Sequence, residues 1–296
     1  MSANQPVISV VVPTKGRPSS LERCLKALQG AEFARERFEV VVANDRGGDR
    51  IESLVGSFAD ELQVTIARPQ GTGPSAARNA GAAAARGAYV AFTDDDCEPA
   101  PSWLGALERS LEENPGAAVG GPVQNGMPQN LGAVTTQVVV DALVGQFNRD
   151  PDAPRFFASS NVAFPDDAFR SIGGFDEGFR YAEDRELCER WIRSGHRFAY
   201  APQAVVVHMR ALDVRDFVAQ HYGYGRGARA FHRSLSPQQR RAERSGVLME
   251  LARQTMRPHD GHSRLAVAGY AALSQLATAA GFAREAVGGS GRPRHD

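Results

Sequence analysis

Along the first hundred positions the apolar residues follow two alternating periods. Residues 7–12 form a short run rich in β-branched side chains that stops at Pro13, which predicts a strand buried on both faces. Leu21, Cys24, Leu25 and Leu28 then recur at helical spacing. The same step repeats with residues 38–43 as strand and Ile51, Leu54, Val55 and Phe58 as the apolar stripe of a helix, before residues 63–67 supply a third strand. Residues 75–85 predict an alanine-rich helix behind a glycine-rich turn, residues 89–93 a fourth strand and residues 103–113 a further helix. Strands that alternate with helices predict an α/β fold whose mostly parallel sheet is covered on both faces, with ligands gathered at the strands' carboxyl ends.

The pattern weakens over residues 125–155, where glycine and proline recur, and this predicts a loop-rich excursion. Order returns with residues 159–165, a helix over 183–194, and strands over 196–200 and 204–207, the last closed by His208. Beyond about Val214 the chain turns into helical segments with many arginines, and residues 265–283 carry no formal charge. That run is long enough to span a bilayer, but its alanines and Ser274, Gln275 and Thr278 make it less apolar than a Leu/Ile/Val helix. An interfacial helix and a packing or oligomer contact are the other readings. The expected division is an α/β domain over residues 1–230 and a helical extension over 231–296 that touches a membrane surface, an acceptor or a second copy.

Charge and cysteine content narrow the classes. The 34 basic and 34 acidic side chains of this 296-residue chain cancel, so no nucleic-acid footprint is expected. Cys24, Cys97 and Cys188 lie far apart and match neither a disulfide framework nor a zinc spacing. The first residues lack a basic n-region, so a cytoplasmic setting is expected.

Several polar stretches fall at predicted strand ends or helix starts. Asp94-Asp95-Asp96 would repel one another in a cleft unless a cation or hydrogen-bond donors offset them. A divalent ion bridging a diphosphate satisfies that need, and a solvated acidic turn avoids it. On the same predicted rim lies Asn44-Asp45-Arg46. The segment from Gly71 to Asn79 brings a flexible turn, a helix start and Arg78 together, which suits phosphate oxygens but also suits a plain turn; it is not a Walker A loop. Glu183-Asp184 opens a helix, where the dipole favours acids, and a carboxylate held there can also act as a general base. His208 reads either as a metal ligand or as a structural strand-end histidine.

Taken in order, these motifs resemble glycosyltransferase family 2, inverting enzymes with the GT-A (Rossmann-like) fold, over roughly residues 6–229. Val10-Val11-Val12-Pro13-Thr14-Lys15-Gly16-Arg17 is similar to the family's first strand and turn, Val41-Val42-Ala43-Asn44-Asp45 to its base-contacting acid, and Ser75-Ala76-Ala77-Arg78-Asn79 to its next nucleotide-side element. Phe92-Thr93-Asp94-Asp95-Asp96 resembles the Asp-x-Asp motif, and Ser160-Asn161-Val162, Gly173-Gly174-Phe175-Asp176 and Glu183-Asp184 through Arg190-Trp191 follow in the family's order.

The resemblance implies that Pro13, Thr14 and Arg17 line the nucleoside pocket, Asp45 accepts a hydrogen bond from the base, and Arg78 holds the nucleotide. Asp94, with Asp95, lies near the ribose or sugar, while Asp96 ligates Mg²⁺ or Mn²⁺ on the diphosphate with His208 completing the shell. Asp184, or Glu183 in its place, is the implied general base. The implied donor is a UDP-linked sugar, and the implied acceptor a hydroxyl on a glycan, a lipid-linked molecule or a small molecule, as in polysaccharide or glycoconjugate synthesis. Asn44-Asp45-Arg46-Gly47-Gly48 lacks the double aspartate frequent in relatives, which leaves the base open. Tyr222-Gly223-Tyr224-Gly225-Arg226-Gly227 resembles a flexible loop after the catalytic domain, with Arg226 either near diphosphate or on a basic surface turn. A sugar nucleotidyltransferase and a non-catalytic nucleotide-sugar-binding scaffold are the competing functions.

Overall fold

The structure is a computed structural model that describes residues 5–45, 48–259 and 261–288; Arg46 and Gly47, which follow Asn44-Asp45 in the sequence, lie outside the described residues. The chain forms two compact units. The first comprises Met1–Gln124, Asp150–Glu177 and Leu187–Met209, and the second Asn125–Arg149, Gly178–Glu186 and Arg210–Asp296. The units interleave along the chain, with boundaries after residues 124, 149, 177, 186 and 209.

The first unit begins with β1 (Ile8–Thr14), α1 (Pro18–Gln29), β2 (Phe38–Asn44), α2 (Gly48–Gly56), β3 (Val64–Ala67), α3 (Pro74–Ala84) and β4 (Tyr89–Phe92). It continues with β5 (Cys97–Pro99), α4 (Trp103–Glu113), β6 (Ala118–Gly120) and β7 (Val123–Asn125), and later β8 (Val162–Pro165), α6 (Asp166–Ser171), β9 (Phe198–Tyr200) and β10 (Val206–His208). Seven strands make one sheet in the order β3-β2-β1-β4-β8-β6-β9, and a second sheet runs β5-β10-β7. The large sheet is mostly parallel, as expected, except that β8 runs antiparallel to both β4 and β6.

Burial on both faces explains the continuous apolar strands. Ile8, Val10, Val11 and Val12 are all buried, with Leu21, Leu25, Val40, Ile51 and Leu107 in the surrounding core. At Gly81 in α3 an added Cβ would meet Val11 Cγ1 at 2.3 Å, so glycine there lets the helix settle onto β1. Among the polar residues inside, Ser9 and Glu39 are paired. Ser9 Oγ donates to Glu39 Oε1 at 2.6 Å, and Arg86 donates to the same carboxylate from its backbone N–H at 2.7 Å and its Nε at 2.8 Å.

The second unit holds α5 (Leu131–Phe147), α8 (Val214–His232), α9 (Pro237–Thr255) and α10 (Arg264–Gly288), while α7 (Glu183–Arg193) starts in this unit and ends in the first. Two expectations are corrected here. The loop-rich excursion contains α5, a 17-residue helix whose N–H of Ala133 is capped by the Asn130 side chain at 2.8 Å. Its Val-Thr-Thr-Gln-Val-Val-Val run is apolar on most sides, so the amphipathic period that marks a surface helix is absent. The Tyr222–Gly227 segment is not a loop but the middle of α8. Its glycines permit close helix packing: a Cβ at Gly225 would lie 1.9 Å from the Thr278 carbonyl oxygen, and one at Gly281 of α10 1.9 Å from that of Tyr222. Arg226 is engaged with Glu285 of α10, Nε to Oε2 2.9 Å.

Candidate functional site

Strand register places the acidic motifs on one rim of the first unit. Thr14 at the end of β1 lies opposite Asn44 at the end of β2, and Val11 opposite Phe92 at the end of β4. Asp45 and Asp94 therefore follow the carboxyl ends of the two strands that flank β1, where parallel α/β sheets bind ligands. Asp45 is buried and accepts the backbone N–H of Gly73 at 3.1 Å. Gly73 has φ of 103°, in the left-handed region, and turns the chain into α3.

The three consecutive aspartates have three different surroundings. Asp95 is 0% exposed and turned inward. One of its oxygens accepts Thr14 Oγ1 at 2.6 Å and Arg17 Nε at 3.3 Å, and the other pairs with Arg17 Nη2. Burial pushes its carboxyl up to about 6, against the opposing pull of Arg17 and Thr14. Asp96 is 5% exposed. Its Oδ2 takes Arg17 Nη1 at 2.6 Å while its Oδ1 lies 3.3 Å from His208 Nε2. The Asp94 side chain is 28% exposed and is held by Arg78 Nη2 at 2.7 Å. A single arginine thus bridges two acids from the turn after β1. Burial works against the Arg17 charge, yet Asp96 and Asp95 outweigh it and raise the guanidinium above its ordinary value.

His208 reaches Asp96 through the second sheet. In the antiparallel pairing of β10 with β5 it stands opposite Cys97, and the Met209 N–H donates to the Asp96 carbonyl at 2.8 Å. Ligand atoms of Asp96, Cys97 and His208 all lie within 4.8 Å of one another. A carboxylate with an imidazole suits Mn²⁺ or Mg²⁺ that retains further oxygen ligands from water or phosphate. Burial, and after it Asp94 and Asp96, push the Cys97 thiol well up, and for a hard cation the oxygen of Asp96 and the nitrogen of His208 are the fitting donors.

Arg78 is buried at the start of the second turn of α3, its guanidinium 5.4 Å from the centre of the Phe175 ring. Asn79 fastens the glycine-rich segment behind it, donating to the Phe175 carbonyl at 2.9 Å and accepting the Phe175 N–H at 2.9 Å. Gly174 has φ of 65°, and a Cβ there would meet Asn79 Oδ1 at 2.7 Å, which accounts for glycine in that motif. Asn161 of the Ser160-Asn161-Val162 motif is an internal clasp. It accepts Trp103 Nε1 at 2.8 Å and donates to the carbonyls of Pro122 and Ala204 at 2.9 and 2.7 Å.

Glu183 and Asp184 belong to the second unit, at the start of α7. Asp184 Oδ1 accepts the Arg185 N–H at 2.8 Å, and the Arg185 guanidinium lies over Phe231, 4.3 Å from its ring centre. Ala182, just before the pair, is the one non-glycine residue with positive φ (62°) among the described residues, and the Glu186 N–H donates to its carbonyl at 3.1 Å. Tyr224 of α8 is pushed up to about 12 by burial, with Asp184 and Glu183 adding to the rise against Gln220 and Arg210. Neither the Arg17 clasp nor Tyr224 was legible in sequence: Arg17 reads as a pocket-lining residue and Tyr224 as part of a loop.

With this geometry in place, comparison with known proteins is informative. Residues 9–173 match the family model described as Glycosyl transferase family 2. The chain is 31% identical over 228 residues to the pre-mycofactocin glycosyltransferase of Mycobacterium tuberculosis, covering 75% of this chain and 46% of that protein. It is 25% identical over 234 residues to glycosyltransferase AglE of Haloferax volcanii, covering 77% and 74%. The chain therefore spans about half the length of the first of these relatives. Among solved structures, the mannosyltransferase PcManGT of Pyrobaculum calidifontis, in complex with GDP-Man and Mn²⁺, shares the fold at a TM-score of 0.66 and 20% identity, over 96% of this chain and 88% of that one. S. aureus TarS 1-349 in complex with UDP-GlcNAc matches at a TM-score of 0.55 and 18% identity, over 83% and 72%.

Proposed function

The chain belongs to glycosyltransferase family 2, and we propose that it transfers a sugar from a UDP-linked donor to an acceptor hydroxyl with inversion. The observation that carries this reading is the cluster of Asp94, Asp96, His208, Arg17 and Arg78 at the carboxyl rim of the sheet. Charges so close suit a ligand that brings both phosphate and a cation. The names of the solved neighbours, one with GDP-Man and Mn²⁺ and one with UDP-GlcNAc, support a nucleotide sugar and a divalent ion.

In this reading Pro13, Thr14 and Arg17 border the nucleoside pocket and Asp45 meets the base. Thr14 and Arg17 act there chiefly by anchoring Asp95, which stiffens the floor beneath Asp94 and Asp96. Arg78 holds donor phosphate, and Asp94 orients ribose or sugar. Asp96 and His208 hold Mg²⁺ or Mn²⁺, which supplies neutralisation of the charge that grows on the departing diphosphate. Asp184 takes the proton from the acceptor hydroxyl as that oxygen bonds to the anomeric carbon, while the bond from that carbon to the diphosphate oxygen breaks on the opposite side. Glu183 is the alternative base. The acceptor is a glycan, a lipid-linked molecule or a small molecule, recognised by the second unit. The setting is cytoplasmic with peripheral membrane contact, a reading supported by three buried cysteines without disulfides.

A calorimetric donor panel with Mn²⁺, paired with an assay of nucleoside diphosphate release, tests this reading. Asp96→Ala is expected to lose metal-dependent donor binding, and Asp184→Asn to keep donor binding while losing transfer. Absence of metal-dependent release from every nucleotide sugar would overturn the transferase, and full activity of Asp184→Asn would overturn the base assignment.

A further inference from the structure

Helix α10 has two faces of opposite character. One is welded to α8 through the Gly225 and Gly281 approaches, and it carries the helix's one acidic residue, Glu285, paired with Arg226. On the other face Leu265, Ala272, Leu276, Ala279, Ala283 and Val287 are all exposed. At 100° per residue these six fall within a narrow arc, and they extend about 33 Å along the helix. Leu265, Leu276 and Val287 stand 84%, 69% and 86% exposed, which is unusual for large apolar side chains aligned on one stripe. The exposed Arg264 and Arg284 project roughly 100° to either side of it.

Charge identifies what the stripe faces. Residues 210–296 contain 14 arginines against 7 acidic residues, a net of +7, so in a chain of zero net charge the preceding 209 residues carry −7. An apolar stripe edged by arginines on a basic segment is complementary to a bilayer bearing anionic headgroups. Two copies joined through the same stripe would bring like charges together. By length and composition alone the helix is long and apolar enough to cross a membrane. Crossing would require separating it from α8, whose backbone it touches, and placing Glu285 and its partner in hydrocarbon.

We propose that the second unit docks on anionic membrane surfaces by laying the Leu265–Leu276–Val287 face of α10 into the headgroup region, parallel to the bilayer. This deepens the peripheral membrane contact named above and does not depend on the transfer chemistry. Flotation of the full chain with vesicles of phosphatidylcholine alone, or mixed with phosphatidylglycerol, measures the partition. Wild type is expected to float with the mixed vesicles only, and less so at high salt. Leu276→Glu and Leu265→Glu, at exposed positions that leave thermal unfolding unchanged, are each expected to lower partition at least tenfold. Val214→Glu, at a position 54% exposed but off the stripe, is expected to float as wild type does. Failure of wild type to float, equal binding to neutral vesicles, or indifference to both stripe variants would overturn the proposal. So would sedimentation as a dimer that Leu276→Glu dissociates, which assigns the stripe to a second copy. Nucleoside diphosphate release without vesicles, measured in the same proteins, reports on the catalytic reading separately.

Discussion

The two compact units treat buried polar groups in opposite ways. In the first, charge is met by charge: wholly buried Asp95 and nearly buried Asp96 share Arg17, and Asp94 is held by Arg78. In the second, His221 and Tyr224 are kept neutral by burial, the imidazole pushed down to about 4 and the phenol up to about 12. The pair Glu183 and Asp184 stands at a helix start. A group that must bind anions and cations gains from a rigid, charge-compensated frame. One that must accept a proton gains from a low-dielectric wall beside its carboxylate.

The largest expected effect tests the proton-accepting side of that contrast. Asp184→Asn is expected to lower transfer by about 10²- to 10⁴-fold while leaving the donor dissociation constant unchanged, read by single-turnover kinetics and calorimetry. Glu183→Gln with the larger loss would exchange the two roles.

Acid separates the units by stability. His221 Nε2 lies 3.2 Å from Thr136 Oγ1, and its Nδ1 has no hydrogen-bond partner among the described residues. Its folded-state value of about 4 lies below the ordinary 6.5, so the unfolded chain binds the extra proton first. Stability from this residue is complete above pH 6.5 and is lost as pH falls toward 4, by up to about 3 kcal/mol. Hydrogen exchange should show α5 and α8 losing protection before β1 and β2 over that window. His221→Gln should flatten the dependence, and an unchanged profile would remove His221 as its source.

Arg17 provides the matching test of the first unit. Arg17→Met leaves the Asp95 carboxylate buried without its cation and is expected to destabilise by about 2 kcal/mol, less than a fully buried pair because Arg17 is part-exposed. Adding Asp95→Asn should recover much of the loss in denaturant titration; additive losses would mean that the two residues are not coupled. The smallest effect concerns Ala182. Replacing this positive-φ residue by glycine should stabilise by about 0.5–1 kcal/mol, and a loss of stability would show that the conformation carries no strain.

The periodic elements were legible in the chain because their pattern is local. The expected strand over residues 7–12 is β1 (Ile8–Thr14) and that over 89–93 is β4 (Tyr89–Phe92). Helix α5 escaped because it is apolar on most sides, and β5, β6 and β7 because three residues hold too little pattern. The Asn161 motif was visible without its meaning, since the groups it satisfies belong to Trp103, Pro122 and Ala204.

The sequence by itself determined that carboxylates stand at the ends of parallel strands and at the start of a helix, because apolar period and strand ends are written in neighbouring residues. Which aspartate turns inward, which meets a histidine, and which cation holds each was decided only by tertiary structure. Desolvation and ion pairing depend on distance through space, and the groups that settle Asp94, Asp95 and Asp96 come from Thr14, Arg17, Arg78 and His208.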